Sequence, residues 1–462
     1  MGNHACSLHN VKEHSPTAPL VIWIPPFSHL DTGFDTAPPP PWLRQYATAV
    51  INYRWSLNRH DDPEPEGLEE EPSVPPLKWP TPLHDISFGY SWIVKNLSPP
   101  DLRRRDIYVC GSHLGASLAA GLALTESHTH EPMAVRGLIT FNGIYDWTTF
   151  LPDHPVHRPV NGSVPGPPEQ VEAGWSPVFK RLKAHLPVLF TKPEDLFDPF
   201  VSAVLFFHTA GLWVPPGFNK SCLIPSAWKG AAKTLPSADG ISTPDDFSPN
   251  PPEGDVEEDD HFLYSDPPRK GYMVFPPRQS TLRLPQTLLL HSDDPFRNMT
   301  FSDDPYEDEV SDGGGILTLT NNMKTKRKPR LRKLGKGLNP LQRAVVTAQL
   351  MGDNSYGTQA TELASMMQRS VEMVETRERA KWDDDFLEEY DSGDQEAQRR
   401  VRVAEVPYND AEVVRAIEGI TFHGDGDLKN AGLLLDDYSS VAGMMNERAQ
   451  QEAAAWLEDR IG

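Results

Sequence analysis

The chain has 462 residues and carries 65 acidic against 43 basic side chains, a formal net charge of −22. Its 38% hydrophobic content, interrupted by 46 prolines and 32 glycines, suits one large α/β core or two ordinary ones broken by polar insertions. A collagen, a coiled coil and a disulfide-stapled miniature are excluded, and the negative charge argues against a general nucleic-acid binder because phosphates are repelled.

Short apolar runs alternate with helical patterns along the chain. The first run is Leu20–Ile24, bounded by prolines, and the second covers residues 49–53. Residues 85–97 then place Ile86, Tyr90, Ile93 and Val94 on one stripe, which predicts a helix. A third run, residues 107–110, ends at Gly111 and enters a small-residue helix over 116–124. A fourth covers 137–141, a fifth 287–290 and a sixth 401–406, with a helix predicted over 359–367 between the last two. The last helix, about 441–460, carries Met445, Ala449, Ala453, Trp456 and Leu457 on one face. Strands alternating with helices predict a mostly parallel sheet with helices on both faces.

Polar stretches break this rhythm. The expected organisation is a disordered tail over 1–18, the N-terminal part of the core over 19–150, and a cap region over 151–215. A polar insertion follows over 216–283, then a core strand and acid loop over 284–297 and an acidic-to-basic insertion over 298–345. The C-terminal part of the core spans 346–462 and contains a charged insertion at 375–400. Most of these breaks are expected to be disordered, because they hold too little apolar area to offset chain entropy. The aromatic stretch around Phe200 is the exception, suited to capping a site.

Three cysteines, Cys6, Cys110 and Cys222, fit a reducing compartment, and the absence of Cys-x-x-Cys spacing argues against a thiolate zinc site. No metal or cofactor is expected. No run reaches the roughly 18 apolar residues of a membrane span, and residues 1–19 lack the apolar core of a secretory signal. The expected location is cytoplasmic. The basic cluster over 324–336 is either a solvated tether, a nuclear-import signal or an anionic-surface contact.

The most informative stretch is Val109-Cys110-Gly111-Ser112-His113-Leu114-Gly115-Ala116-Ser117, an apolar strand that stops at glycine, turns and enters a helix of small residues. It resembles the nucleophile elbow Gly-x-Ser-x-Gly of the α/β-hydrolase fold, with Gly111 and Gly115 matching the glycines and His113 standing at the serine position. The surroundings resemble the hormone-sensitive-lipase-like esterases, including fungal members, over roughly half the chain. Leu20–Ile24 runs into Pro25-Pro26-Phe27-Ser28 where that family has a His-Gly-Gly-Gly oxyanion loop. Tyr53-Arg54, Trp79-Pro80 and Asp85 resemble the approach to the next helix, and the segment ending His291-Ser292-Asp293-Asp294 resembles the strand and loop that supply the acid. The resemblance implies Asp294 as orienting acid, His423 as base, and an oxyanion and binding region at Pro25, Pro26, Phe27, Ser112 and Leu114.

The departures decide the expected chemistry. Ester hydrolysis in this fold needs an activated hydroxyl and aimed N–H donors. His113 has no hydroxyl, and prolines have no backbone N–H to donate. The leading expectation is therefore an esterase/lipase-like protein with lost or much reduced activity, retaining at most a pocket for a small acyl or apolar molecule. The alternatives are an active ester hydrolase with a non-serine nucleophile, and a non-enzymatic interaction protein on a hydrolase scaffold. His113 is read as a nucleophile, a ligand contact at the pocket floor, or a relic. Ser117 and Cys110 are read as structural, and Asp294 and His423 also admit a plain loop reading. The family also begins with strands ahead of Leu20, for which the chain is expected to have no room.

Overall fold

The structure is a computed structural model that describes residues 6–28, 38–55, 77–100, 103–157, 175–222, 268–292, 353–376, 393–408 and 444–461. Among these, seven strands form one sheet in the order β1-β3-β2-β4-β5-β6-β7. They are β1 (Cys6–His9), β2 (Leu20–Ile24), β3 (Ala47–Ile51), β4 (Arg105–Ser112), β5 (Met133–Phe141), β6 (Gln286–His291) and β7 (Val401–Glu405). All pairings are parallel except β1 with β3, which is antiparallel. The helices are α1 (Thr81–Leu97), α2 (Leu114–Thr125), α3 (Pro177–Leu189), α4 (Tyr356–Ser370), α5 (Gly393–Arg400) and α6 (Glu447–Ile461).

The central strands read as unbroken apolar runs because both sheet faces are covered. Alternate residues then divide between two cores. Leu20, Ile22 and Ile24 join Ala49, Ile51, Ile107 and Val109 beneath α1, α2, α3 and α4. Val21 and Trp23 join Val50, Tyr108, Cys110, Ile139 and Leu288 beneath α6, which contributes Ala449, Ala453, Trp456 and Leu457. The strand period of two thus decides which helix each side chain meets. Helix α1 lies so close to β3 that a Cβ on Gly89 would stand 2.7 Å from Ile51 Cγ2.

The expectation of a mostly parallel α/β sheet with helices on both faces holds. Two boundaries differ from the sequence reading. The tail expected over 1–18 contains β1, whose register runs from Cys6 opposite Ile51 to His9 opposite Thr48. A strand does precede Leu20. It lacks an apolar alternation because its side chains are only partly buried and its backbone bonds to β3 hold it in place. The charged insertion expected to be disordered over 375–400 ends in helix α5. There Arg400 is buried and pairs with Glu375 and, at 2.8 Å, with Glu396. Burial of a charged group needs such partners, and they come from two separate elements, a π-helical turn at Val371–Thr376 and α5 itself.

The described part of the region expected to be a cap is packed into the main core. Trp55, Trp79, Trp147 and Phe190 form one aromatic cluster with ring centroids 5.1–6.5 Å apart. Trp55 Nε1 donates to the Leu189 carbonyl at 2.9 Å, and Trp79 Nε1 donates to Asp198 Oδ2 at 3.1 Å. Among the described residues no helix is long and apolar enough to cross a membrane. The insertions at 223–267 and 298–345, including the basic cluster, lie outside the described residues.

Trp456 is the anchor of α6, meeting Tyr108 edge-to-face at 6.3 Å and packing over the glycine at position 137. Trp456→Ala is expected to cost about 3–5 kcal/mol of stability, read from the urea unfolding midpoint. A loss below about 1 kcal/mol would show that α6 contributes little to the second core.

Candidate functional site

The carboxyl edge of the sheet is built around one tight turn. Strand β4 ends at Ser112, and α2 begins at Leu114, leaving a single residue, His113, to reverse the chain. His113 has φ 49° and ψ −116°, a sparsely populated conformation for a residue with a Cβ. Its N–H donates to the Phe141 carbonyl at 3.0 Å, and its own carbonyl accepts from Ala116 N–H at 3.1 Å. The turn is possible because the strand and helix backbones nearly touch. A Cβ on Gly111 would stand 2.6 Å from the Gly115 carbonyl oxygen, and one on Gly115 would stand 2.1 Å from the Pro25 carbonyl oxygen.

The His113 side chain is fully buried. Its Nδ1 shares a hydrogen bond of 3.0 Å with the Tyr356 hydroxyl, whose residue opens α4. The Phe27 ring lies 5.2 Å from the imidazole and the Tyr356 ring 6.1 Å from it. Nε2 is buried without a hydrogen-bond partner among the described residues. Burial lowers the His113 pKa to about 3, so the ring is neutral at neutral pH. Neither the cavity between α1 and α2, about 580 Å³, nor the cleft at the amino edge, about 640 Å³, has His113 in its wall.

The loop after β2 is fixed against this turn. Tyr53 Oη donates to the Pro25 carbonyl at 3.0 Å, and Ser28 Oγ donates to the Tyr53 carbonyl at 3.0 Å. Pro25 and Pro26 supply no N–H, and the loop presents the Pro25 carbonyl oxygen to Gly115. Behind it, Arg54 holds Asp85 through Nε at 3.0 Å and Nη2 at 2.7 Å, tying the end of β3 to α1. This brings together two residues that the sequence singles out some thirty positions apart.

The remaining hydroxyls and thiol near the turn are buried. Ser117 Oγ donates to the Ile144 carbonyl at 2.5 Å from inside α2. Ser112 is buried at the strand end, its Oγ without a partner among the described residues. Cys110 is buried in the second core, where desolvation pushes its thiol pKa far up. Leu114 is buried in the first core. Asp294 and His423 lie outside the described residues.

Two residues escape sequence reasoning. Tyr356 carries a local signal only as the first residue of a helix, with Ser355 accepting from Thr358 N–H as N-cap; nothing local pairs it with His113. Asn142, with φ 49°, bonds Ser292 across the carboxyl ends of β5 and β6, donating to Ser292 Oγ at 3.0 Å and accepting from its N–H at 2.9 Å. Elsewhere in the fold, buried His154 faces Asp146 at 3.8 Å, and buried Glu362 receives the exposed Lys270 at 3.1 Å. Burial takes the His154 pKa to about 3. Among the described residues no group of three or more His, Cys, Asp or Glu side chains is placed to hold a metal ion.

No protein-family model and no curated protein matches the chain. Solved structures similar to it include a thermophilic carboxylesterase cloned from a metagenomic library, at 17% identity and TM-score 0.26, covering 43% of this chain and 59% of that one. A Pyrobaculum calidifontis hyperthermophilic esterase is similar at 16% identity and TM-score 0.26, covering 44% and 56%. A lipase-esterase related protein of Clostridium acetobutylicum is similar at 12% identity and TM-score 0.18, covering 43% and 69%. The chain thus spans a little over half the length of the first two.

Two tests probe the site's construction. Gly115→Ala drives a methyl group into backbone at Pro25 and Ile24, and a loss of about 1–3 kcal/mol or more is expected in urea unfolding. Unchanged stability would mean that the loop and helix are not in contact. The second test is pH. His113 and His154 take up protons below about 6.5 when unfolded but resist them down to about 3 when folded. The unfolded state therefore binds more protons across that window, so stability falls as pH is lowered through it, by up to about 1.4 kcal/mol per pH unit per histidine. His113→Gln should reduce the slope of unfolding free energy between about pH 7 and about pH 5 by about one proton's worth. An unchanged slope would place His113 in contact with water.

Proposed function

We propose that the chain is an esterase/lipase-like protein of α/β-hydrolase type that has lost most or all carboxylic-ester hydrolase activity. The turn at His113 is a nucleophile elbow in which an imidazole replaces the serine. The observation that carries this reading is the burial of that imidazole, bonded to Tyr356 and covered by Phe27. A nucleophile must reach an acyl carbon, and a ring walled in by two aromatic side chains does not.

The oxyanion machinery fails separately. A tetrahedral intermediate needs N–H donors aimed at its oxygen, one from the residue after the nucleophile and one from the loop after the neighbouring strand. Leu114 holds the first position. At the second stand Pro25 and Pro26, so the loop turns a carbonyl toward the elbow where the family turns N–H groups. Loss of one such donor costs about 3–4 kcal/mol in enzymes that use them. Asp294 and His423 complete the constellation in this reading, as acid and base of the ancestral site, with 151–215 as its cap. The packing of α3 on Tyr356, with Phe179 at 5.0 Å from its ring, supports a cap that is closed down onto the site.

The test is activity-based labelling. The natural protein is expected to resist a fluorophosphonate probe and to leave p-nitrophenyl acetate and butyrate unhydrolysed. His113→Ser is expected to recover little, because the proline loop and the Tyr356 and Phe27 rings remain. Strong labelling of Ser112 or Ser117 in the natural protein, or full esterase activity in His113→Ser, would overturn the proposal.

A further inference from the structure

The opposite, amino edge of the sheet carries a different feature. A cleft of about 640 Å³ opens where β4, β5, β6 and β7 begin. Six arginines line it: Arg104, Arg136, Arg283, Arg399, Arg400 and Arg460. The carboxylates in its wall are Asp106, Glu396 and Asp459, with Glu375 reaching Arg283 and Arg400 from behind. Two positive charges are left over, on a chain whose formal net charge is −22. Surplus cations gathered in one concavity repel one another unless an anion joins them.

The guanidinium groups are held in place, which distinguishes the cleft from a scatter of surface charge. Arg136 donates to the carbonyls of His128 at 2.6 Å and Glu131 at 2.8 Å and leans on Asp106 at 3.4 Å. Arg400 is locked between Glu375 and Glu396. Arg460 lies 3.9 Å over the Trp456 ring. Its pKa is lowered first by burial and further by Arg402 and Arg399, against the pull of Asp459. Arg104 and Arg399 form the rim, 68% and 76% exposed, each with a carboxylate on its own chain segment as partner. Ser127 adds an independent observation: it lines the same cleft, is buried, and its Oγ has no hydrogen-bond partner among the described residues. A buried donor left without a partner costs free energy that a ligand acceptor would return.

We infer that this amino-edge cleft is a binding site for a compact, multiply charged anion, carried on phosphoryl or carboxylate groups, and that it works apart from the elbow at the other end of the sheet. Planar guanidinium forks suit both chemistries through paired N–H···O bonds. The size of the cleft fits a small molecule. A nucleic-acid polymer is disfavoured because the rest of the acidic chain repels it.

The test is calorimetric titration of the full chain with inorganic pyrophosphate in one arm and citrate in the other. At least one is expected to bind saturably, with affinity falling as salt rises from about 50 to about 200 mM. The tighter anion identifies the ligand's charged group. The double variant Arg104→Gln/Arg399→Gln is expected to weaken binding about tenfold while keeping its melting temperature, because both side chains are largely exposed. Ser127→Ala is expected to melt no lower than the natural protein and to bind more weakly. Absence of saturable binding by either anion at millimolar concentration overturns the inference, as does unchanged affinity in the double variant. Esterase assays play no part in these readouts, so this inference and the proposed loss of hydrolysis stand or fall separately.

Discussion

One close approach organises the carboxyl edge of this protein: the backbone of α2 against the strand it leaves and against the loop after β2. It needs hydrogen in place of a side chain at Gly111 and Gly115, since any Cβ there meets backbone oxygen. It also forces His113 into a left-handed conformation that other residues leave when free. The strain is held by the hydrogen bond from its N–H to Phe141 and by the core on both sides. The turn carries an imidazole into a buried enclosure, where Tyr356 satisfies one nitrogen.

The two edges of the sheet contrast. At the carboxyl edge, aromatic side chains from three segments, Phe27, Phe179 and Tyr356, close over the turn. At the amino edge, arginines from β5, α5, α6 and the adjoining loops converge on one cleft, with Arg104 and Arg399 exposed at its rim. The physical basis is the same in both places. Parallel strands bring their like ends together, so whatever the loops carry at one end is concentrated there. Apolar loops seal that end, and charged ones build a field.

Much of the scaffold is legible locally. Leu20–Ile24, the 107–110 run and the 287–290 run announce buried strands by unbroken apolar content, and Ile86, Tyr90 and Ile93 announce the buried face of α1. The tight turn between β4 and α2 is legible from the two glycines and the small residues beyond them. β1 is not, because its place depends on backbone bonds to β3 and its side chains carry no apolar period. Helix α5 is hidden for a similar reason: a run of charge reads as solvated until Glu375 and Glu396 are seen to close around Arg400.

The linear order of residues by itself determined the α/β alternation, the imidazole at position 113 and the absence of backbone N–H groups at Pro25 and Pro26. These are properties of single residues and short periods, and no folding alters them. The tertiary structure alone decided that the imidazole is enclosed and that Tyr356, 243 positions away, is its partner. It alone gathered six arginines into one cleft. Such pairings arise from which ends the parallel sheet brings side by side, and chain separation carries no trace of that.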